Sequence, residues 1–298
     1  MPAAQQPVIG FIGLGTMGRP MAARLRTAGY PLVVYNRTPE KCLPLVQLGA
    51  THVRTPEAAA GSSEIVITMV STPQDVEAVV LGHDGVAKGL RPDSVLIDMS
   101  TVLPATSRML HEAAHAAGGA FLDAPVVGSQ APAETGQLVI LVGGPADVVE
   151  RCRPVLQTLG KAIVHAGDVG QGAALKLCIN LILAHLAAGF AEGLTLARRS
   201  GVDAQLVLRV LEGSTFYSPW YQTKGRSMIQ GDFSPHFALK HMHKDLRLMG
   251  LLSQSLDASL PVTQAVRELF RSAESQGGGE LDYSAILTYL DRQPQTAR

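Results

Sequence analysis

The chain has 298 residues, more than one ordinary domain needs, and its 46% hydrophobic content supplies apolar surface for two packed cores. Lys plus Arg and Asp plus Glu number 25 each, so no global basic field exists to draw nucleic acid or an anionic membrane, and a small-molecule partner is expected. Three cysteines, Cys42, Cys152 and Cys178, are odd in number and far apart, which fits neither a disulfide framework nor a metal knuckle and points to a reducing cytoplasm.

The N-terminal stretch MPAAQQPVIG lacks a basic region followed by an apolar core, and the uncharged run from Leu177 to Ala191 is shorter than a bilayer span and holds Asn180 and His185. A soluble protein is expected. From Val8 to about Gly167, short β-branched runs (VIGFI, PLVVYN, EIVITMV, SVLIDMS, AFLDAPV, QLVILVG, KAIVHAG) alternate with amphipathic segments, the signature of a parallel α/β sheet. Thr55-Pro56-Glu57 and Ser71-Thr72-Pro73 set a capping hydroxyl before a first-turn proline and so mark helix starts. After Gly167 the pattern turns helical, over 170 to 199, 203 to 212, about 236 to 256, 262 to 275 and 282 to 291. The predicted architecture is therefore an N-terminal Rossmann-type doubly wound sheet, residues 1–167, followed by an all-helical domain, residues 168–298, which opens on a long interdomain helix.

The first strand runs into Gly13-Leu14-Gly15-Thr16-Met17-Gly18 and then into an amphipathic helix. Such glycines serve a tight turn, close approach of backbone to a pyrophosphate, and close packing of helix on strand, with the helix N-terminus facing the phosphates. Three glycines in six residues also occur in ordinary turns; the strand before and the helix after favour the dinucleotide reading. The second strand ends in Asn36-Arg37-Thr38, where an NAD-selective fold places an acid for the ribose 2′-hydroxyl. With no acid there, Arg37, with Thr38 and Lys41, suits a 2′-phosphate and hence NADP; the alternative is a solvated turn arginine.

The helix predicted over 170 to 199 carries no formal charge between Lys176 and Glu192, so most of its faces must be buried. Lys176 and Asn180 are four apart and share one face, presenting an ammonium and an amide together. Either they form a site, or the ammonium snorkels to water and the amide is satisfied in the core. His241 and His243 do not share a helix face, and His111 and His115 lack a third ligand, so no metal site is expected and the latter pair reads as a solvated face. Met17, Met21, Met69 and Met99 are expected to fill space around the cofactor loop and sheet. Trp220 reads equally as a pocket wall or a core anchor.

Taken together, GFIGLGTMGRPMAARL, DMSTVLP, DAPVVGSQAPAETGQL, GQGAALKLCIN and KHMHKDLRL, in this order across nearly the whole chain, resemble the β-hydroxyacid dehydrogenase family, related to 6-phosphogluconate dehydrogenase, and within it the glyoxylate and succinic semialdehyde reductases. The resemblance implies that Lys176 is catalytic, with Asn180 as its companion amide. It also implies that Val70, Ser71, Thr101 and Lys244 contact the cofactor. The substrate would meet Thr101, Val127, Gly128, Ser129, Phe237 and Lys244 as well as the catalytic pair, and the active site would lie at the domain junction. Hydride delivery to an aldehyde leaves negative charge on oxygen, which a lysine can polarise and protonate. One departure is Val127, where the family usually has serine; only backbone donors near Gly128 and the Ser129 hydroxyl remain to make an anion nest. The expected activity is NADPH-dependent reduction of a small carboxylated aldehyde to the hydroxy acid. Alternatives are 3-hydroxyisobutyrate-type oxidation, imine reduction, or a catalytically inactive nucleotide-binding interaction module. Cytoplasmic location and a homodimer or homotetramer joined through the helical half complete the expectation.

Overall fold

The computed structural model describes residues 6–292. The first five residues, part of the stretch read for targeting, lie outside that range. By compactness the chain divides into Met1–Leu177 and Cys178–Arg298.

The first unit is built on a nine-stranded sheet. Its strands are β1 (Ile9–Ile12), β2 (Leu32–Tyr35), β3 (Thr51–His52), β4 (Ile65–Thr68), β5 (Val95–Asp98), β6 (Ala120–Asp123), β7 (Val126–Val127), β8 (Leu138–Gly143) and β9 (Gly160–Gly167). The order is β3-β2-β1-β4-β5-β6-β8-β7, with β9 on β8. Strands β1 to β6 are mutually parallel, as the alternating pattern predicts. Beyond that point the direction changes: β8 runs antiparallel to both β6 and β7, and β9 runs parallel to β8. Strands β1, β2, β4, β5, β6 and β8 are apolar at nearly every position because both faces are covered, whereas the edge strand β3 is polar and exposed. Ile9, Phe11, Val34, Ile65 and Ile97 enter one buried layer, while Ile12, Val33, Val66, Leu96 and Phe121 enter the other.

The caps act as the sequence implies. Thr55 accepts from the Ala58 amide and Thr72 from the Asp75 amide, each followed by proline in the first turn. Met21 and Met99 are residues of the first buried layer, and Met17 and Met69 are partly buried against that layer. His111 departs from the solvated reading: its ring lies 6.4 Å from Phe121 and its Nδ1 is buried.

The second unit is helical. It contains the length of Gln171–Arg199 beyond Leu177, then Ala204–Glu212, Arg226–Gln230, Leu239–Ser255, Pro261–Ala273 and Ile286–Arg292. The uncharged run of Gln171–Arg199 is short, but with its flanks this becomes the one helix among the described residues long and apolar enough to cross a membrane. Of its most apolar window, 44% is buried inside the protein. Trp220 is a packing anchor, donating to the Tyr283 hydroxyl at 2.7 Å and meeting Phe190 edge-on. Beside it, buried Asp282 accepts from Lys224 Nζ at 2.6 Å, the His236 and Phe237 amides at 3.1 and 3.2 Å, and Ser284 Oγ at 2.7 Å. A carboxylate with that many donors fixes the turn that leads into Leu239–Ser255. Asp282→Ala should lower stability by about 3 kcal/mol, because it strands a largely buried ammonium and two backbone donors. Urea unfolding measures this, and an unchanged midpoint would show the cluster to be incidental.

Candidate active site

The glycines after β1 divide their work by what surrounds them. Gly13 has φ +95°, and a Cβ there would lie 2.3 Å from the Met69 carbonyl oxygen. A Cβ on Gly18 would lie 1.9 Å from the Gly13 oxygen, so the helix Gly18–Thr27 packs on its own approach loop. At Gly15 nothing lies within 4 Å. That opening, beside a helix start with no acidic residue in its first turn, fits the pyrophosphate of a dinucleotide. Leu14 donates its amide to Asn36 Oδ1 at 2.8 Å, and Asn36 Nδ2 donates to the Thr38 carbonyl at 2.9 Å. Asn36 thus braces the glycine loop at Leu14, just ahead of Thr16 and Met17, against the turn after β2. Arg37 is an exposed arm, paired with Asp75 at 2.9 Å.

Asp98, at the end of β5, is fully buried. Its Oδ1 accepts from Thr68 Oγ1 at 2.7 Å and from the Ser100 amide at 3.2 Å, while Ser100 Oγ accepts from the Val70 amide at 3.0 Å. This relay joins the Val70-Ser71 loop to the Ser100-Thr101 loop. Burial pushes the Asp98 carboxyl up to about 6, the Thr68 and Ser100 bonds oppose that, and neighbouring Asp123 adds to it.

Asp123 stands beside Asp98 in register at the end of β6. It accepts from the Gly170 and Ala173 amides, each at 2.7 Å, and so holds the first turn of Gln171–Arg199 against the sheet. Burial raises its pKa, and those amide bonds lower it. Lys176 follows three residues after Ala173 on the same helix and is 8% exposed. Val127 lies in β7, opposite Val139; Gly128 has φ +139°, and Ser129 precedes the helix Gln130–Thr135 without a capping side-chain bond.

In the second unit, buried Asn180 donates through Nδ2 to Asp245 Oδ2 at 2.6 Å, and Lys244 Nζ lies 3.0 Å from Asp245 Oδ1. The amide, the ammonium and a carboxylate are thereby joined across two helices. Phe237 stacks on His241 with centroids 6.3 Å apart, next to Tyr283. Burial, then Lys244 and Lys240, lowers the His241 pKa.

The sequence-derived cofactor positions of the first unit, Gly13 to Gly18, Asn36 to Thr38, Val70, Ser71 and Thr101, all follow the C-terminal ends of parallel strands β1, β2, β4 and β5. Sequence reasoning gave no role to four acids: Asp75, Asp98, Asp123 and Asp245. For Asp98 and Asp123 a signal existed, an acid closing an uninterrupted apolar strand in VLID and AFLD.

Residues 8–167 match the family model described as the NAD binding domain of 6-phosphogluconate dehydrogenase. Residues 170–290 match that described as NAD-binding of NADP-dependent 3-hydroxyisobutyrate dehydrogenase. The chain belongs to the β-hydroxyacid dehydrogenase family. Among its relatives in this family, glyoxylate/succinic semialdehyde reductase 1 of Arabidopsis thaliana is 39% identical over 94% of this chain and 96% of its own length. The 3-hydroxyisobutyrate dehydrogenase of Pseudomonas aeruginosa is 38% identical over 93% of this chain and 96% of its own. The solved Mycobacterium tuberculosis 3-hydroxyisobutyrate dehydrogenase with L-serine superposes with a TM-score of 0.88 at 30% identity, covering 97% of this chain and all of that one. The protein is an oxidoreductase that uses a nicotinamide cofactor.

The cradle makes two glycines separable. Gly15→Ala should leave thermal stability near wild type, because its Cβ meets open space, while weakening nicotinamide dinucleotide binding at least about tenfold by obstructing the phosphates. Gly18→Ala should cost stability instead, since its Cβ collides with backbone. Melting temperature and cofactor titration by fluorescence, run on both variants, check this; equal behaviour of the two would refute the division of labour.

Proposed function

We propose that this dehydrogenase reduces a small aldehyde-bearing carboxylic acid with NADPH, giving the hydroxy acid, with Lys176 as general acid. The observation that carries the reading is Lys176 itself: an ammonium 8% exposed, in the apolar stretch of a helix whose first turn is pinned to the sheet. The reduced nicotinamide, when bound, supplies hydride to the aldehyde carbon. Lys176 Nζ then gives a proton to the carbonyl oxygen, leaving a neutral amine that is reprotonated from water. Asn180, one turn along and oriented by Asp245, is assigned to direct the same oxygen. The Gly128-Ser129 segment is assigned to the substrate carboxylate, with Val127 making that corner less polar than a serine would. Lys244, held beside Asp245, adds positive charge for an anionic ligand.

The NADP assignment rests on Arg37 at the β2 turn and on the absence of an acid at its side in sequence; the family description matched by residues 170–290 supports it. The semialdehyde assignment is supported by the plant reductase relative. A second reading, oxidation of a 3-hydroxy acid by the same residues run in reverse, is favoured by the bacterial dehydrogenase relative. Steady-state ranking of glyoxylate, succinic semialdehyde, tartronate semialdehyde and 3-hydroxyisobutyrate with both cofactors separates the two. We also propose self-association through the helical unit, supported by exposed Ile182 and Leu196 on its long helix.

Lys176→Met keeps the apolar stem and removes the donor, so kcat should fall by about 10² to 10⁴ with NADPH affinity and melting temperature nearly unchanged. A folded, NADPH-binding variant with normal kcat would end the mechanism. Arg37→Ala should raise KM for NADPH by about tenfold and leave NADH kinetics nearly unaltered, because the lost contact is remote from the reacting carbon. Equal losses with both cofactors would make Arg37 structural and remove the basis for NADP.

A further inference from the structure

The turn after β2 has no acid of its own, yet the fold delivers one to it from another element. Arg37 Nη1 lies 2.9 Å from Asp75 Oδ1, and Asp75 belongs to the first turn of the helix Pro73–Leu81, 38 residues further on. The acid is the better-held partner. Its Oδ2 accepts from Thr72 Oγ1 at 2.7 Å, and its amide donates to the same hydroxyl at 3.1 Å. Its side chain is 25% exposed against 84% for Arg37. The capping bonds therefore aim the carboxylate, and the arginine comes to it. Asn36 is engaged elsewhere, bracing Leu14 and Thr38, so Asp75 is the charged group that meets Arg37 in this structure.

We propose that Asp75 is a specificity-determining residue of the cofactor site, one that competes with a 2′-phosphate for Arg37 and thereby moderates the preference for NADPH over NADH. The inference rests on the reading of Arg37 as the 2′-phosphate ligand. A phosphate monoester carries about −1.5 to −2 charge near neutrality. To bind beside Arg37 it must share or displace the guanidinium's existing partner and accept a like charge close by. A 2′-hydroxyl meets neither cost. The same arginine that attracts NADPH is thus partly neutralised in advance, and NADH is left competitive. Asp75 needs no contact with the cofactor to act in this way; it works through the arginine and through its own field.

The test is Asp75→Asn, which keeps the shape and a hydrogen-bonding group on each side but removes the charge. Dissociation constants for NADPH and NADH are measured by fluorescence titration without substrate, at low and high salt, together with the melting temperature. The expected result is NADPH binding tightened about three- to tenfold at low ionic strength, NADH within about twofold, and the difference shrinking in high salt as screening sets in. Equal change for both cofactors, or selective weakening of NADPH, overturns the proposal; the latter would mean that Asp75 presents Arg37 rather than competing for it. Arg37→Ala is titrated in parallel. If that variant loses NADPH selectively while Asp75→Asn changes nothing, this inference alone falls. If Arg37→Ala affects both cofactors alike, the 2′-phosphate reading falls first and this inference with it.

Discussion

Asp123 has almost no contact with solvent, and a carboxylate so placed must find donors or give up its charge. The first turn of a helix has the converse need, amides without intrahelical acceptors. In this chain each meets the other: both carboxylate oxygens accept, from Gly170 and from Ala173, at 2.7 Å. The contact fixes where Gln171–Arg199 begins and how it is turned about its axis. Lys176 follows less than one turn later, so its direction is decided at the end of β6. An ammonium on a frayed helix end would sample many positions; one set three residues from such an anchor does not.

The same logic acts one strand over. Asp98 uses Thr68 and Ser100 as donors, and Ser100 passes the restraint on to Val70. Two buried acids in register on adjacent strands cannot both be comfortable as anions, and Asp98, with fewer backbone donors, is the one displaced furthest toward the neutral form. The loops that follow β4, β5 and β6 are therefore tied to a common edge, where an open parallel sheet places its ligand crevice.

Much of this was legible in the sequence, for physical reasons. Strands covered on both faces must be apolar throughout, which is why VLID and LVILVG stand out as strands. Helix starts were legible because Thr55 and Thr72 are chemically suited to a local job. Thr51–His52 and Val126–Val127 were missed because two residues carry no periodicity. The reversed direction of β8 was missed because periodicity is blind to direction. Lys176 was conspicuous as the lone charge in an apolar stretch. Asp75 and Asp245 were not, since an acid on a helix resembles any solvated residue until its partner, Arg37 or Asn180, arrives from a distant segment. Sequence spacing reports neighbours along one element, and these sites are made by neighbours across elements.

The seat of Gly170 and Ala173 on Asp123 also governs how such a protein can be taken apart or recombined. A boundary drawn where the last strand stops, at Gly167, leaves the sheet with a buried anion and removes the amides that neutralise it. A boundary after Leu177, the limit of the compact first unit, keeps them together. Chimaeras that exchange helical halves between relatives should therefore inherit the opening turns of the long helix from the sheet donor, so that the lysine travels with the carboxylate that aims it.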